Sequence, residues 1–133
     1  MQAIKSKIGK AIPFGTYLNC CDNSGAKIIR MHNVVGRKTV YGRIPNAGIG
    51  DLIQASVKSG KPEMRKTVVY AVIVRQKKEF KRPNGTRVKF EDNAAVVVKD
   101  LKGNPKGTTI KGPIAKEVGE RWSVISKIAS IIV

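Results

Sequence analysis

Two uninterrupted apolar runs, Val68 to Val74 and Ala94 to Val98, do most to limit what this chain can fold into. Runs of this length read as strands covered on both faces, because a half-exposed strand alternates and a surface helix shows a longer period. A neighbouring stretch does alternate. From Leu52 to Lys58, Ile53, Ala55 and Val57 interleave with Gln54, Ser56 and Lys58, which predicts one buried and one wet face. Thr16 to Cys21 is a shorter mixed run ending at the turn sequence Asp22-Asn23-Ser24-Gly25. Ala26 to Val35 follows, with Ile29, Met31 and Val35 on one face. Short strands between glycine-rich turns predict a mostly β fold, a small antiparallel barrel. The tail has a different period. After Gly112-Pro113, residues Ile114, Val118, Trp122, Ile125, Ala129 and Ile132 recur at helical spacing, which predicts a helical tail over about 113–133. Gly119 divides it into two short helices. A length of 133 residues suits one domain.

Between the two apolar runs lies Arg75 to Phe90, where Arg75, Lys77, Lys78, Lys81, Arg82, Arg87 and Lys89 face Glu79 as the single acid. Pro83-Asn84-Gly85 at its centre predicts a hairpin turn, so the flanks pair as a basic antiparallel ribbon over about 75–90. Phe80, Val88 and Phe90 would form its apolar seam. Gly36 to Gly50 reads as a long loop exposing Arg37, Lys38 and Arg43 around Tyr41. Over the whole chain 26 Lys and Arg stand against 9 Asp and Glu, a formal net charge of +17. A compact domain with that excess repels itself unless an anionic partner neutralises it. Membrane is the weaker candidate, since no window approaches the roughly 18 apolar residues of a spanning helix. Met1 to Lys10 interleaves Lys5, Lys7 and Lys10 with Ile4 and Ile8, unlike a secretory signal, and Ile131-Ile132-Val133 is no lipidation box. A cytoplasmic protein is expected. Nucleic acid is the favoured partner, and Lys27, Arg30, Arg65 and Lys66 join the ribbon and loop cations as candidate contacts. Aromatic residues are few, and Tyr70 and Phe90 read as core or seam. Too few remain for a base-stacking platform, so folded RNA recognised through phosphates and shape is expected.

Catalysis has little to stand on. His32 is the only histidine, so any histidine-dependent triad or metal site would have to rest on it alone. Gly60-Lys61 runs into Pro62, which breaks a phosphate-cradling loop, and Gly48-Ile49-Gly50 lacks the third glycine of a dinucleotide fingerprint. The acids are scattered apart from Glu91-Asp92. Cys20 and Cys21 are adjacent, too close for an ordinary disulfide and too few for a zinc site with one histidine. No enzyme activity, cofactor or metal is expected. A free-standing RNA-binding translation or chaperone factor remains the alternative reading.

Several blocks, in order, carry a resemblance. They are Asp22-Asn23-Ser24-Gly25-Ala26, Gly48-Ile49-Gly50-Asp51, then Ala71-Val72-Ile73-Val74 leading through Asn84-Gly85, Phe90 and Asn93 to Val96-Val97, and finally Gly112-Pro113-Ile114-Ala115-Lys116-Glu117. This series resembles the universal large-subunit ribosomal protein fourteen family from about Thr16 to the tail. Lys58 to Lys66 is similar to its archaeal and eukaryotic branch, and the short N-terminus favours archaeal. The resemblance implies a five-stranded β-barrel with a projecting β-ribbon and two small C-terminal helices. It implies a ribosome-bound protein that binds large-subunit rRNA, touches neighbouring large-subunit proteins and meets small-subunit rRNA across the interface in intersubunit bridges. It further implies an anti-association factor docking at the C-terminal region. By position it marks Lys77, Lys78, Lys81, Arg82 and Arg87, with Arg37 and Arg43, as RNA contacts. Thr108, Thr109 and the tail near Trp122 become candidates for protein partners. Reversing the charge of Lys81 and Arg82 is therefore expected to weaken RNA binding without lowering the thermal midpoint by more than a few degrees.

Overall fold

A computed structural model describes residues 7–133, so the reading of Ile4 and Lys5 lies outside the described residues. The strand elements are β1 (Ile12–Pro13), β2 (Tyr17–Cys20), β3 (Ala26–Val34), β4 (Asn46–Ala47), β5 (Leu52–Gly60), β6 (Val68–Arg75), β7 (Phe80–Lys81), β8 (Arg87–Val88), β9 (Ala94–Val98) and β10 (Ile110–Ile114). Helices α1 (Lys116–Arg121) and α2 (Ser123–Ile128) follow, and β11 (Ala129–Ile132) ends the series.

Strands β2-β3-β5-β6-β9 form a closed barrel. Alternation fixes β5, where Ile53, Ala55 and Val57 are wholly buried while Lys58 is exposed. The apolar runs become β6 and β9, paired antiparallel from Tyr70↔Val98 to Ile73↔Ala95. Every residue of β9 is buried; β6 is fully covered only over Ala71–Val74, and Val68 lies exposed near the rim. Each fully buried valine or isoleucine contributes about 1.5–3 kcal/mol relative to exposure, so these two strands anchor the core. Four of the five barrel seams are antiparallel. The fifth departs from the expected barrel, because β2 and β9 pair in parallel through Asn19↔Ala94 and Cys20↔Ala95.

In β3 the register shifts between Met31 and Asn33 against β5. That irregularity turns Val34 inward with Ile29 and Met31, and leaves Val35 only partly buried. The ribbon forms with a short ladder, Phe80↔Val88 and Lys81↔Arg87, around a turn in which the Gly85 amide donates to the Arg82 carbonyl at 2.9 Å. Phe80 is buried and Val88 and Phe90 pack partly against the core, so the ribbon lays its apolar seam on the body of the molecule.

The tail corrects the sequence reading in two ways. The helices occupy 116–128, and from Ala129 the chain runs as a strand parallel to β10, in register Ile110↔Ala129, Pro113↔Ile131 and Ile114↔Ile132. The β-branched Ile131 and Ile132 favour extended backbone, and the free edge of β10 accepts them. The break between helices falls at Trp122 (φ −120°, ψ 80°), whereas Gly119 lies within α1. Trp122 is wholly buried, and its indole N–H donates to the Gly50 carbonyl at 2.8 Å. Its ring lies over Gly103, where a Cβ would come within 2.3 Å. Anchoring of this ring, rather than glycine flexibility, sets the change of direction. Among the described residues no helix is long and apolar enough to cross a membrane.

Candidate nucleic-acid interface

The acids are few, and the fold buries three of the nine, Asp22, Asp51 and Glu117. Asp22 is buried, accepting from the Val97 amide at 3.2 Å and the Ser24 hydroxyl at 3.0 Å; burial raises its pKa while these hydrogen bonds oppose the rise. Asp51 is buried as well, accepting from the Gly48 amide at 2.8 Å with Lys10 at 2.9 Å and Arg121 at 3.6 Å. Burial lowers the pKa of the Arg121 guanidinium, and the Asp51 carboxylate works against that shift. Asp92 holds Arg75 at 2.9 Å, and Glu117 holds Arg82 at 2.8 Å. Asp100 is occupied within its own turn by Lys102 and Asn104. Glu63, Glu79, Glu91 and Glu120 are left as exposed acids, against a surface otherwise dominated by lysine and arginine. Charge segregation of this kind concentrates positive potential outside the molecule.

The candidate cations divide accordingly. Lys77, Lys78, Lys81, Arg87 and Lys89 are exposed along the ribbon, with Glu79 4.0 Å from Lys78 and 3.9 Å from Arg87. Arg75 and Arg82 point inward. Arg75 donates to the carbonyls of Lys111 at 3.1 Å and Pro113 at 3.3 Å besides pairing with Asp92, which ties β6 to β10. Arg82 adds to its Glu117 pair a hydrogen bond of 2.6 Å to the Val133 carbonyl, clamping the ribbon tip onto the tail. Its side chain is 11% exposed and that of Glu117 7%, so the expectation of a harmless charge reversal at Arg82 does not survive. Removing one partner of a buried pair strands the other charge.

At the opposite side of the sequence, Lys38 and Arg43 are exposed in the loop between β3 and β4, and Arg37 is half-buried, donating to the Asn46 carbonyl at 3.1 Å. This loop, with Asp51, Leu52 and Arg121, lines a cleft of about 500 Å³. Lys27, Arg65 and Lys66 are exposed at the β3–β5 end of the barrel. There the fold adds Lys61, whose amide donates to the Gly25 carbonyl at 2.9 Å, and Lys106, whose ammonium lies 3.1 Å from the Met64 sulfur. Lys61 lies in the same turn as Arg65, whose amide donates to the Lys61 carbonyl at 3.1 Å, whereas Lys106 is distant in sequence and joins them only through the fold. Arg30 is half-buried, its guanidinium 5.8 Å from the centre of the Tyr17 ring.

Thr108 and Thr109 are exposed and their backbone is pinned, their amides donating to the Asn23 side-chain oxygen at 2.7 and 3.3 Å. Trp122 is no surface residue; its place on the outside is taken by Ile131, Ile132 and Val133, each about half exposed. Burial raises both cysteine pKa values, Cys21 to about 11, which leaves these thiols protonated and unreactive near neutral pH.

Fold and charge together define a small, strongly basic β-barrel protein with an excess of exposed cations. Comparison with known proteins narrows this class. The model of the family described as Ribosomal protein L14p/L23e matches residues 11–133, and the chain belongs to that family. Members of that family are structural and non-enzymatic. Similar relatives are the large ribosomal subunit proteins uL14 of Methanothrix thermoacetophila (55% identical), Nanoarchaeum equitans (53%) and Halobacterium salinarum (50%), each over 133 residues and 100% of both chains. All three sources are archaeal, in keeping with the branch read from Lys58 to Lys66.

Proposed function

We propose that this protein is a cytoplasmic structural constituent of the large ribosomal subunit, acting as one domain that binds folded rRNA through phosphate and shape contacts. The observation that carries the reading is the imbalance of charge at the surface. Lys27, Lys38, Arg43, Arg65, Lys66, Lys77, Lys78, Lys81, Arg87 and Lys89 are exposed, while Asp22, Asp51 and Glu117 are buried and only Glu63, Glu79, Glu91 and Glu120 stand as exposed acids. A rigid barrel presents those cations with little further ordering, which lowers the entropic cost of binding. Lys38 and Arg43 in the loop, Lys77, Lys78, Lys81, Arg87 and Lys89 on the ribbon, and Lys27, Arg65 and Lys66 at the barrel end are the proposed phosphate contacts. Arg75 and Arg82 serve by holding the ribbon in place.

The same placement supports a contribution to intersubunit bridges, with small-subunit rRNA met by one basic face while large-subunit rRNA is held by another. The exposed apolar tail, with Thr108 and Thr109, supports contacts to neighbouring ribosomal proteins and the docking of an anti-association factor.

Native lysate fractionated on a sucrose gradient after a high-salt wash tests the assignment. The protein is expected to stay with large subunits and whole ribosomes. Recovery at the top of the gradient would replace this reading with that of a free-standing RNA-binding factor. Binding to deproteinised rRNA should also fall steeply with salt: about six to ten neutralised phosphates cost about a thousandfold or more between about 50 and 200 mM.

A further inference from the structure

The most exposed large apolar side chain among the described residues is Tyr41, at 93%. It stands in a tight turn, where the Arg43 amide donates to the Val40 carbonyl at 3.3 Å. Both central residues have positive φ, 57° at Tyr41 and 69° at Gly42, the arrangement of a type I′ turn. Glycine meets that demand without steric cost; tyrosine does not. Asparagine or aspartate ordinarily fills the first central position, because a short polar side chain tolerates the left-handed region. Here a bulky aromatic is held in unfavourable backbone at a place where it makes no contact with the barrel. Strain held at an exposed tip points to use rather than to packing.

The surroundings say what kind of partner fits. Arg37, Lys38 and Arg43 flank the ring within four positions, and the loop from Gly36 to Ile44 carries no acid. Val40 and Ile44 beside it are also exposed, at 59% and 63%. An exposed aromatic with exposed cations, Lys38 and Arg43, on both sides of it along the chain suits a base whose phosphates lie on either side. Other exposed aromatics differ: Phe14 lies against His32, and Tyr17 lies under the Arg30 guanidinium.

We propose that the Tyr41-Gly42 turn is a base-stacking finger, in which the Tyr41 ring stacks on one unpaired rRNA base while Lys38 and Arg43 hold the adjoining phosphates. This rests on the rRNA-binding reading above and adds to it a contact that is not electrostatic. Stacking and phosphate neutralisation leave different signatures, because only the second releases counterions.

The test measures binding of the full chain and its variants to deproteinised large-subunit rRNA across a salt series. Tyr41→Phe should bind like the parent. Tyr41→Ala and Tyr41→Asn should each weaken binding about ten- to a hundredfold, with the slope of log affinity against log salt unchanged. Lys38→Glu should instead lower that slope by about one or more. Tyr41→Asn carries the most weight, since asparagine relieves the turn: its thermal midpoint should match or exceed the parent's while its affinity falls. Parent-like affinity in both Tyr41→Ala and Tyr41→Asn would overturn the finger, as would a loss of affinity matched by a lower midpoint. Parent-like RNA affinity with failure to assemble into subunits would place the ring against a protein instead. If the parent chain itself does not bind the rRNA, the reading beneath the proposal fails, and the finger with it.

Discussion

The ribbon and the β3–β4 loop look alike as sequence, each a basic segment with a glycine at its turn, yet the fold buries two of the ribbon's arginines against acids while Lys38 and Arg43 of the loop stay exposed. On the ribbon, Arg75 and Arg82 are internal ties, bound to Asp92 and Glu117, acids far away along the chain. In the loop, Lys38 and Arg43 stay exposed. Residue type and local density therefore do not decide which cation can meet a phosphate. What decides it is whether the fold buries the cation beside an acid, as it does Arg75 and Arg82 but not Arg87, which stays exposed 3.9 Å from Glu79.

Substitutions can break this contrast in order of effect. Arg82→Glu is expected to destabilise by about 3–5 kcal/mol, because Glu117 would face a like charge in a buried site. Thermal melting should show a fall of about 10 °C or more. If the midpoint holds, the Arg82–Glu117 pair is not the clamp described. Arg75→Ala should cost about 2 kcal/mol through lost charged hydrogen bonds to the β10 carbonyls, read by urea unfolding. A smaller shift is expected when both partners go: Arg82→Met with Glu117→Leu should return to within about 1 kcal/mol of the parent, since apolar replacements of similar volume leave no stranded charge. That double variant sharpens the comparison, because it separates the cost of a lone charge from the value of the pair. Smallest of all, Lys38→Glu with Arg43→Glu in the loop should move stability by under about 0.5 kcal/mol per site while lowering the salt slope of RNA binding. Unfolding of the loop variant would erase the distinction between the two arms.

The barrel strands were legible because their pattern is local. Ile53, Ala55 and Val57 alternate, and Ala94 to Val98 is apolar throughout, so burial follows from the sequence itself. Where partners lie far apart in the chain, local pattern misled. Val34 replaces Val35 in the core because pairing with β5 slips a register. Strand β10 contains Gly112-Pro113, from which the spacing predicts that the helical tail runs, and it is extended because it pairs with β11 and bridges Asp22 through Ile110. Helical spacing through Trp122 was real, but the turn of the chain there follows from the ring's seat on Gly103 and Gly50. Among the site residues, exposure of the ribbon lysines could be read from charge density. The inward role of Arg75 and Arg82 could not, since Asp92 and Glu117 meet them only after the barrel and the tail are in place.

The parallel seam between β2 and β9 also bears on how the molecule comes into being. Asn19 must find Ala94, so most of the barrel's sequence has to be synthesised before its last gap can shut. Contacts this distant are reached late and slow the search. Until β9 arrives, β2 and β6 each present an open edge carrying unpaired backbone groups, on a chain whose positive charge draws polyanions from the start. The nascent protein is thus most vulnerable to mispairing in the interval between finishing β6 and finishing β9, while the basic ribbon is being made.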